Sequence, residues 1–318
     1  MKRLYLVSIF ILMIAMLFFP LAARGDKNGD ENLPAMGEPF LEPQSSEKKT
    51  LRVLRRESGE VEEMSVEDYL FSVVAAEMPA LYETEALKAQ TVAAYTYAMR
   101  KAEASDKDYD ITDDSSVDQA FTSRDKAREK WGENADTYEE KIRSAVKSVL
   151  YETVTYNGKL ILAAYHAISS GKTENAADIW GGQYSYLVSV ESAGDKLSPN
   201  YLSIVTFTEE EFKEKLSDLV SLSGDAASWF GDIGKTDSGS VMTAVVGGKA
   251  VSGGEIRNAL SLRSSNFDLS YADGVFTFTV RGYGHGIGMS QYGAHYLAQQ
   301  GKNYKEILLH YYPGCEVG

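Results

Sequence analysis

From Val66 onward apolar residues return at Tyr69, Leu70, Val73 and Val74, the spacing that lays a single apolar stripe along an α-helix. Ser65 precedes the run and Asp68 stands three positions on, a capping-box pattern with Asp in place of the usual Glu or Gln, so a helix is predicted to start there. Pro79 ends it, because a proline pushes the residue before it out of the α region. A second helix, from Glu83 to about Lys101, carries Leu87, Thr91, Ala94, Tyr95 and Ala98 on one stripe, and the short Met78-Pro79 turn packs it against the first. A strand pair is predicted ahead of both, around Leu51 to Glu62.

Beyond these helices the pattern becomes polar. Residues 103–148 are highly charged, with helical stretches around Arg124 to Lys130 and Tyr138 to Leu150, and read as a solvated excursion rather than a site. Tyr151 to Tyr156 and Lys159 to Tyr165 flank Asn157-Gly158, a strong short signal for a β-hairpin. His166 then leads into the polar loop Ser169 to Glu174, followed by Trp180-Gly181-Gly182 and a strand-like Tyr186 to Val190. Residues 204–230 read as strand then helix, with Thr208 as N-cap and Glu209, Glu210 and Glu211 in the first turn. Strands follow around Val241 to Val246 and Val275 to Val280. Helices close the chain from about Ser290 to Gln300 and from Tyr304 to Tyr311, stopped by Gly301 and Pro313-Gly314. The fold class is α+β, a mixed helix and antiparallel-sheet ectodomain over residues 51–318 in one large domain, with 103–148 as a charged helical excursion or subdomain.

At the N-terminus, Leu4 to Ala23 form an uncharged run of twenty residues behind Lys2 and Arg3, the span of a bilayer core with the positive flank that stays in the cytoplasm. Residues 1–24 are therefore expected to be a single-pass membrane segment that leaves the rest outside the cell membrane. A cut after Ala23 would place Leu21 at the −3 position, a poor match to a cleavage site, so an uncleaved anchor is the better reading. Residues 25–50, polar and carrying Pro34, Pro39 and Pro43, read as an extracytoplasmic tether.

The 318 residues carry a net charge of −14, which argues against nucleic acid as a partner because phosphate binding needs a basic face. Cys315 is the single cysteine, so an exported chain holds together without internal disulfides, and its place near the C-terminus argues against a thiol nucleophile. With four histidines and one cysteine no zinc-finger spacing exists, and no cofactor is expected.

Two places carry candidate chemistry. Glu77 lies seven residues after Leu70, hence on the apolar face of its helix and at the helix C-terminus, where the macrodipole disfavours negative charge. Both effects raise a carboxyl pKa, so Glu77 can hold a proton near neutrality and donate it. The plainer alternative is a buried glutamate paired with a lysine or arginine elsewhere. The second place is Arg281 to His295, where five glycines bracket His285, Ser290 and Gln291. Gly282, Gly284, Gly286 and Gly288 alternate, which fits neither dinucleotide nor phosphate-loop motifs and suits close approach of backbone to a ligand.

Three ordered blocks resemble the stage II sporulation protein D family and the related amidase enhancers. They are Val73 to Ala80 with Glu85 to Gln90, Ser169 to Asn175 with Trp180-Gly181, and Arg281 to Ala294 with Tyr311 to Gly314. The resemblance implies a peptidoglycan lytic transglycosylase that cuts MurNAc-GlcNAc bonds of peptide-stripped glycan strands, with Glu77 as the acid and a 1,6-anhydro product. It implies His166, Ser170, Tyr283, His285, Ser290, Gln291 and Tyr292 as substrate contacts. It implies as partners the glycan strands, a cell-wall amidase (SpoIIP-like) and a membrane scaffold protein (SpoIIM-like), at the sporulation septum during engulfment. Tyr95 stands where many members have an arginine. Some members bind zinc near the second block, but here Ser169, Ser170, Asn175 and Ala176 accompany His166, so no metal is expected. The rival reading is a non-catalytic enhancer of an amidase. A metal-dependent hydrolase using His166, His285 and His295 is the third.

Overall fold

The computed structural model describes residues 49–318. The expected membrane segment, and all but the last two residues of the expected tether, lie outside them. No helix among the described residues is long and apolar enough to cross a membrane. The described chain is a mixed α+β structure with two apolar cores.

The first core begins with β1 (Thr50–Leu54) and β2 (Val61–Ser65), an antiparallel pair. Helix α1 (Val66–Glu77) follows without a break, its start fixed by Ser65, whose hydroxyl accepts from the Asp68 amide. Helix α2 (Thr84–Ala104) lies beside it, and β3 (Ile111–Thr112) joins β1 in parallel. The charged stretch forms α3 (Arg124–Trp131) and α4 (Ala135–Ser148), and Ile142, Ala145 and Val146 of α4 are buried in the same core as α1 and α2. Asn157 and Gly158 both take positive φ, 51° and 72°, and close the hairpin of β4 (Val154–Tyr156) and β5 (Lys159–Leu160).

The predicted strand Lys159 to Tyr165 is interrupted. β5 ends at Leu160, and β6 (Tyr165–His166) pairs in parallel with Met289–Ser290, far along the chain. A partner so distant leaves no local trace in the hydrophobic pattern. After α5 (Ala176–Ile179), the predicted strand Tyr186 to Val190 is also absent. Its backbone is instead tied to the polar loop by single bonds, Thr173 N to Val190 O and Ser189 N to the Asn175 side-chain oxygen.

The second core is built from one continuous stretch. It holds β7 (Leu202–Thr208), α6 (Glu209–Lys215), β8 (Phe230–Lys235), β9 (Val241–Val246), β10 (Lys249–Ser252), α7 (Gly253–Ala259), β11 (Phe267–Ala272) and β12 (Val275–Arg281). Two three-stranded antiparallel sheets, β11-β12-β7 and β10-β9-β8, enclose Phe212, which stacks on Phe276 at 4.2 Å between ring centres. The helix after Thr208 is short, ending at Lys215 although Phe212, Leu216, Leu219 and Val220 keep the helical spacing. Thr208 and Glu211 form a complete capping box.

The chain then returns to the first core through β13 (Met289–Ser290), α8 (Gln291–Gln299), α9 (Tyr304–Tyr311) and β14 (Glu316–Val317), which pairs with β4. Tyr311 and Tyr312 are fully buried there.

Candidate active site

Glu77 is the last residue of α1, and Met78 leaves the helix in an extended conformation ahead of Pro79. Its neighbours before it, Val73 to Ala75, are core residues, yet the Glu77 side chain keeps part of its surface open. Glu77 Oε1 accepts from the Ala120 amide at 2.9 Å and more weakly from the Tyr165 hydroxyl at 3.5 Å, and Oε2 accepts from Gln291 Nε2 at 3.0 Å. No lysine or arginine pairs with it among the described residues, which removes the plainer alternative of a buried ion pair.

Desolvation pushes the Glu77 carboxyl above its ordinary pKa, opposed in part by the donors Gln291, Ala120 and Tyr165. The C-terminal end of the α1 dipole acts in the same direction as desolvation. Gln291 Nε2 and the Ala120 amide can only donate, so they do nothing for the neutral acid's lone proton and hold the carboxylate that remains once the proton has left. A carboxyl whose pKa is raised by burial and whose anion is met by ready-made donors suits a group that gives a proton and later takes one back.

These donors are fixed by a buried polar network. The Tyr165 hydroxyl donates to Gln119 Oε1 at 2.7 Å, and Gln119 Nε2 donates to the Tyr69 hydroxyl at 2.9 Å. Gln291 Nε2 also reaches Gln90 Oε1 at 3.4 Å. Gln291 is aimed by Ser290, the fully buried N-cap of α8, whose hydroxyl accepts from Gly293 N and donates to Asp195 Oδ1 at 2.7 Å. Asp195 Oδ2 takes the amide and the hydroxyl of Ser169, so one buried carboxylate ties the polar loop to the glycine-rich segment. Burial pushes Asp195 up, against the hydroxyls of Ser169 and Ser290.

The structure brings together only some of the residues singled out from the sequence. Gln291 touches the acid, and Tyr292 follows it on α8, edge-on to Tyr82 at 6.0 Å. Consecutive residues of a strand point to opposite faces, so Tyr165, aimed at Glu77, and His166 look opposite ways. His166 Nδ1 meets Ile287 O at 3.1 Å, and its ring lies 5.7 Å from that of His285. Burial lowers both histidines, His166 to about 4, so both are neutral. Ser170 donates to Ser238 O at 3.0 Å, and Tyr283 exchanges backbone bonds with Ile168 beneath the Arg263 guanidinium. Ser290 acts as a cap and has no open surface.

His295 accepts from the Glu83 amide and stacks on Tyr82 at 4.4 Å, and no three His, Cys, Asp or Glu side chains among the described residues are placed to hold a metal ion. Tyr95 is buried against Tyr151 at 5.9 Å. Burial pushes the Cys315 thiol up to about 12, far from a thiolate nucleophile.

Gln90, Gln119, Tyr165, Asp195 and the Ala120 amide escaped the sequence reading. Gln90 carried the same mark as Glu77, a polar residue on an apolar helical stripe between Leu87 and Ala94. Gln119 and Ala120 correct the view of residues 103–148 as remote from any site, since they reach Glu77 and Tyr69 directly.

The family described as Stage II sporulation protein matches residues 55–156. The chain is 39% identical to the stage II sporulation protein D of Bacillus amyloliquefaciens over 83% of its own length and 77% of that protein. It is also 39% identical to the protein of that name from Bacillus subtilis, over 84% of its length and 78% of the relative. A more remote similarity, 28% over 78% of this chain and 40% of the relative, is to the amidase enhancer of Bacillus subtilis.

Proposed function

This chain belongs to the stage II sporulation protein D family, and from that premise we propose that it is a lytic transglycosylase acting on peptide-stripped peptidoglycan strands. A role in sporulation follows from the family. The observation that carries the chemical reading is Glu77, a half-buried carboxyl whose pKa is raised by desolvation, with neutral donors and, among the described residues, no cation paired with it.

In this mechanism Glu77 gives its proton to the glycosidic oxygen as the bond from that oxygen to C1 of the MurNAc ring breaks. The resulting carboxylate is held by Gln291, the Ala120 amide and Tyr165. It then takes the proton of the same ring's C6 hydroxyl, whose oxygen attacks C1 and closes the 1,6-anhydro ring. Glu77 ends protonated, as it began, and no water is consumed. An ordinary glycosidase needs two carboxyl groups, whereas a nucleophile within the substrate gains its advantage from proximity.

The setting we propose is the outer side of the cell membrane at the sporulation septum, alongside a cell-wall amidase and a membrane scaffold protein. A second reading, a non-catalytic enhancer of an amidase, is favoured by the similarity to the amidase enhancer. Incubation with peptide-free glycan strands followed by mass spectrometry separates the two. Transglycosylase action gives anhydro-sugar ends that fall by about 10²- to 10⁴-fold in Glu77→Gln. Absence of such ends favours the enhancer, and activity that survives Glu77→Gln removes Glu77 from the role.

A further inference from the structure

Two buried polar side chains take no part in the network around Glu77. Glu174 is 1% exposed and neither of its carboxylate oxygens has a hydrogen-bond partner. The hydroxyls of Ser240 and Thr236 and the Ser240 amide face it without forming a well-aligned hydrogen bond, and burial pushes its carboxyl up against them. His166, 4% exposed, has an Nε2 in the same condition. Buried polar groups are almost always satisfied, so a carboxylate left this way has capacity for a further donor.

The backbone is shaped around this glutamate. The Glu174 amide donates to Gly286 O at 2.8 Å, and a Cβ at Gly286, where φ is +81°, would come within 2.9 Å of the Glu174 side chain. Glu174 opens onto a cavity of about 10 Å³, room for one water-sized group, walled by Ser240, Ser264, Asn266, Arg281 and His285. His285 is also the neighbour of Trp180, whose ring centre is 5.0 Å away and which is 40% exposed at the end of α5. A part-exposed indole, joined through His285 to a small polar hole, matches a pyranose, which has an apolar face to lay on the ring and a hydroxyl to turn toward the hole.

We propose that Trp180, His285 and Glu174 form a second, non-catalytic sugar subsite, on the face of the β6-β13 pair turned away from Glu77. It holds one ring of a glycan strand by stacking on Trp180, with a ring hydroxyl donated to the Glu174 carboxylate. The subsite rests on the reading that the substrate is a glycan strand.

The full chain carrying Glu77→Gln, which binds strands without cutting them, is titrated with peptide-free glycan strands. Adding Trp180→Ala or Glu174→Gln is expected to weaken binding by about tenfold each, and Trp180→Phe by less than about threefold. Both variants should unfold at or above the parent's temperature, since Trp180 is largely outside the core and Glu174→Gln removes a buried charge. Unchanged affinity in both variants overturns the subsite and leaves the glycan reading standing. A Glu77→Gln parent that binds no strands overturns both. Trp180-dependent binding in a wild type that makes no anhydro ends supports the subsite and sinks the transglycosylase reading alone.

Discussion

Gln291 is the residue through which the acid can be tuned without being removed. Its Nε2 donates to Glu77 Oε2 and so favours the ionised form. In the proposed mechanism donation requires the protonated form, so the rate is expected to fall as pH rises through the raised Glu77 pKa. Gln291→Ala removes a donor to the anion, lifts that pKa further, and moves the alkaline limb of the pH–rate profile to higher pH. The same change slows the maximal rate by about tenfold or more, because the carboxylate formed in the transition state loses its support. A profile with an unmoved alkaline limb would show that Gln291 does not set the acid's pKa. At this scale Glu77 was legible because it broke two local rules at once, whereas Gln119 broke none. Its role depends on folding 103–122 back over α1, which no periodicity records.

Elements place these residues, and α8 is the one on which most depends. Ser290 caps it, accepts from Gly293 and donates to buried Asp195. Ser290→Ala loses the cap and leaves Asp195 one donor short, and is expected to cost about 2 kcal/mol in chemical denaturation. It should also lower activity at temperatures where the variant stays folded, since Gln291 begins the helix that Ser290 anchors. An intact stability would mean that water replaces the hydroxyl at Asp195. The boundaries of α1, α2, α8 and α9 followed from stripes, caps and prolines because those signals lie within a few residues of each helix end. The short pairs β6-β13 and β4-β14 could not be read in this way, since each joins segments more than a hundred residues apart and covers only two positions.

For the whole molecule, the two cores divide the labour. Every group that touches Glu77 belongs to the first, while residues 205–280 build the second around Phe212, Phe276 and Phe278. Phe212→Ala is expected to cost about 3–5 kcal/mol, with hydrogen exchange rising first across 205–280. The maximal rate on glycan strands should persist at temperatures where that region remains folded. Exchange that rises equally through both cores would mean that they open as one unit. The order of the chain adds a constraint of a different kind. Glu77 is made early, but Gln291 and the buried Tyr311 and Tyr312 come more than two hundred residues later. A growing chain therefore carries the Glu77 carboxyl before the Gln291 amide that holds it exists, and the arrangement around the acid is complete only after more than two hundred further residues have been added.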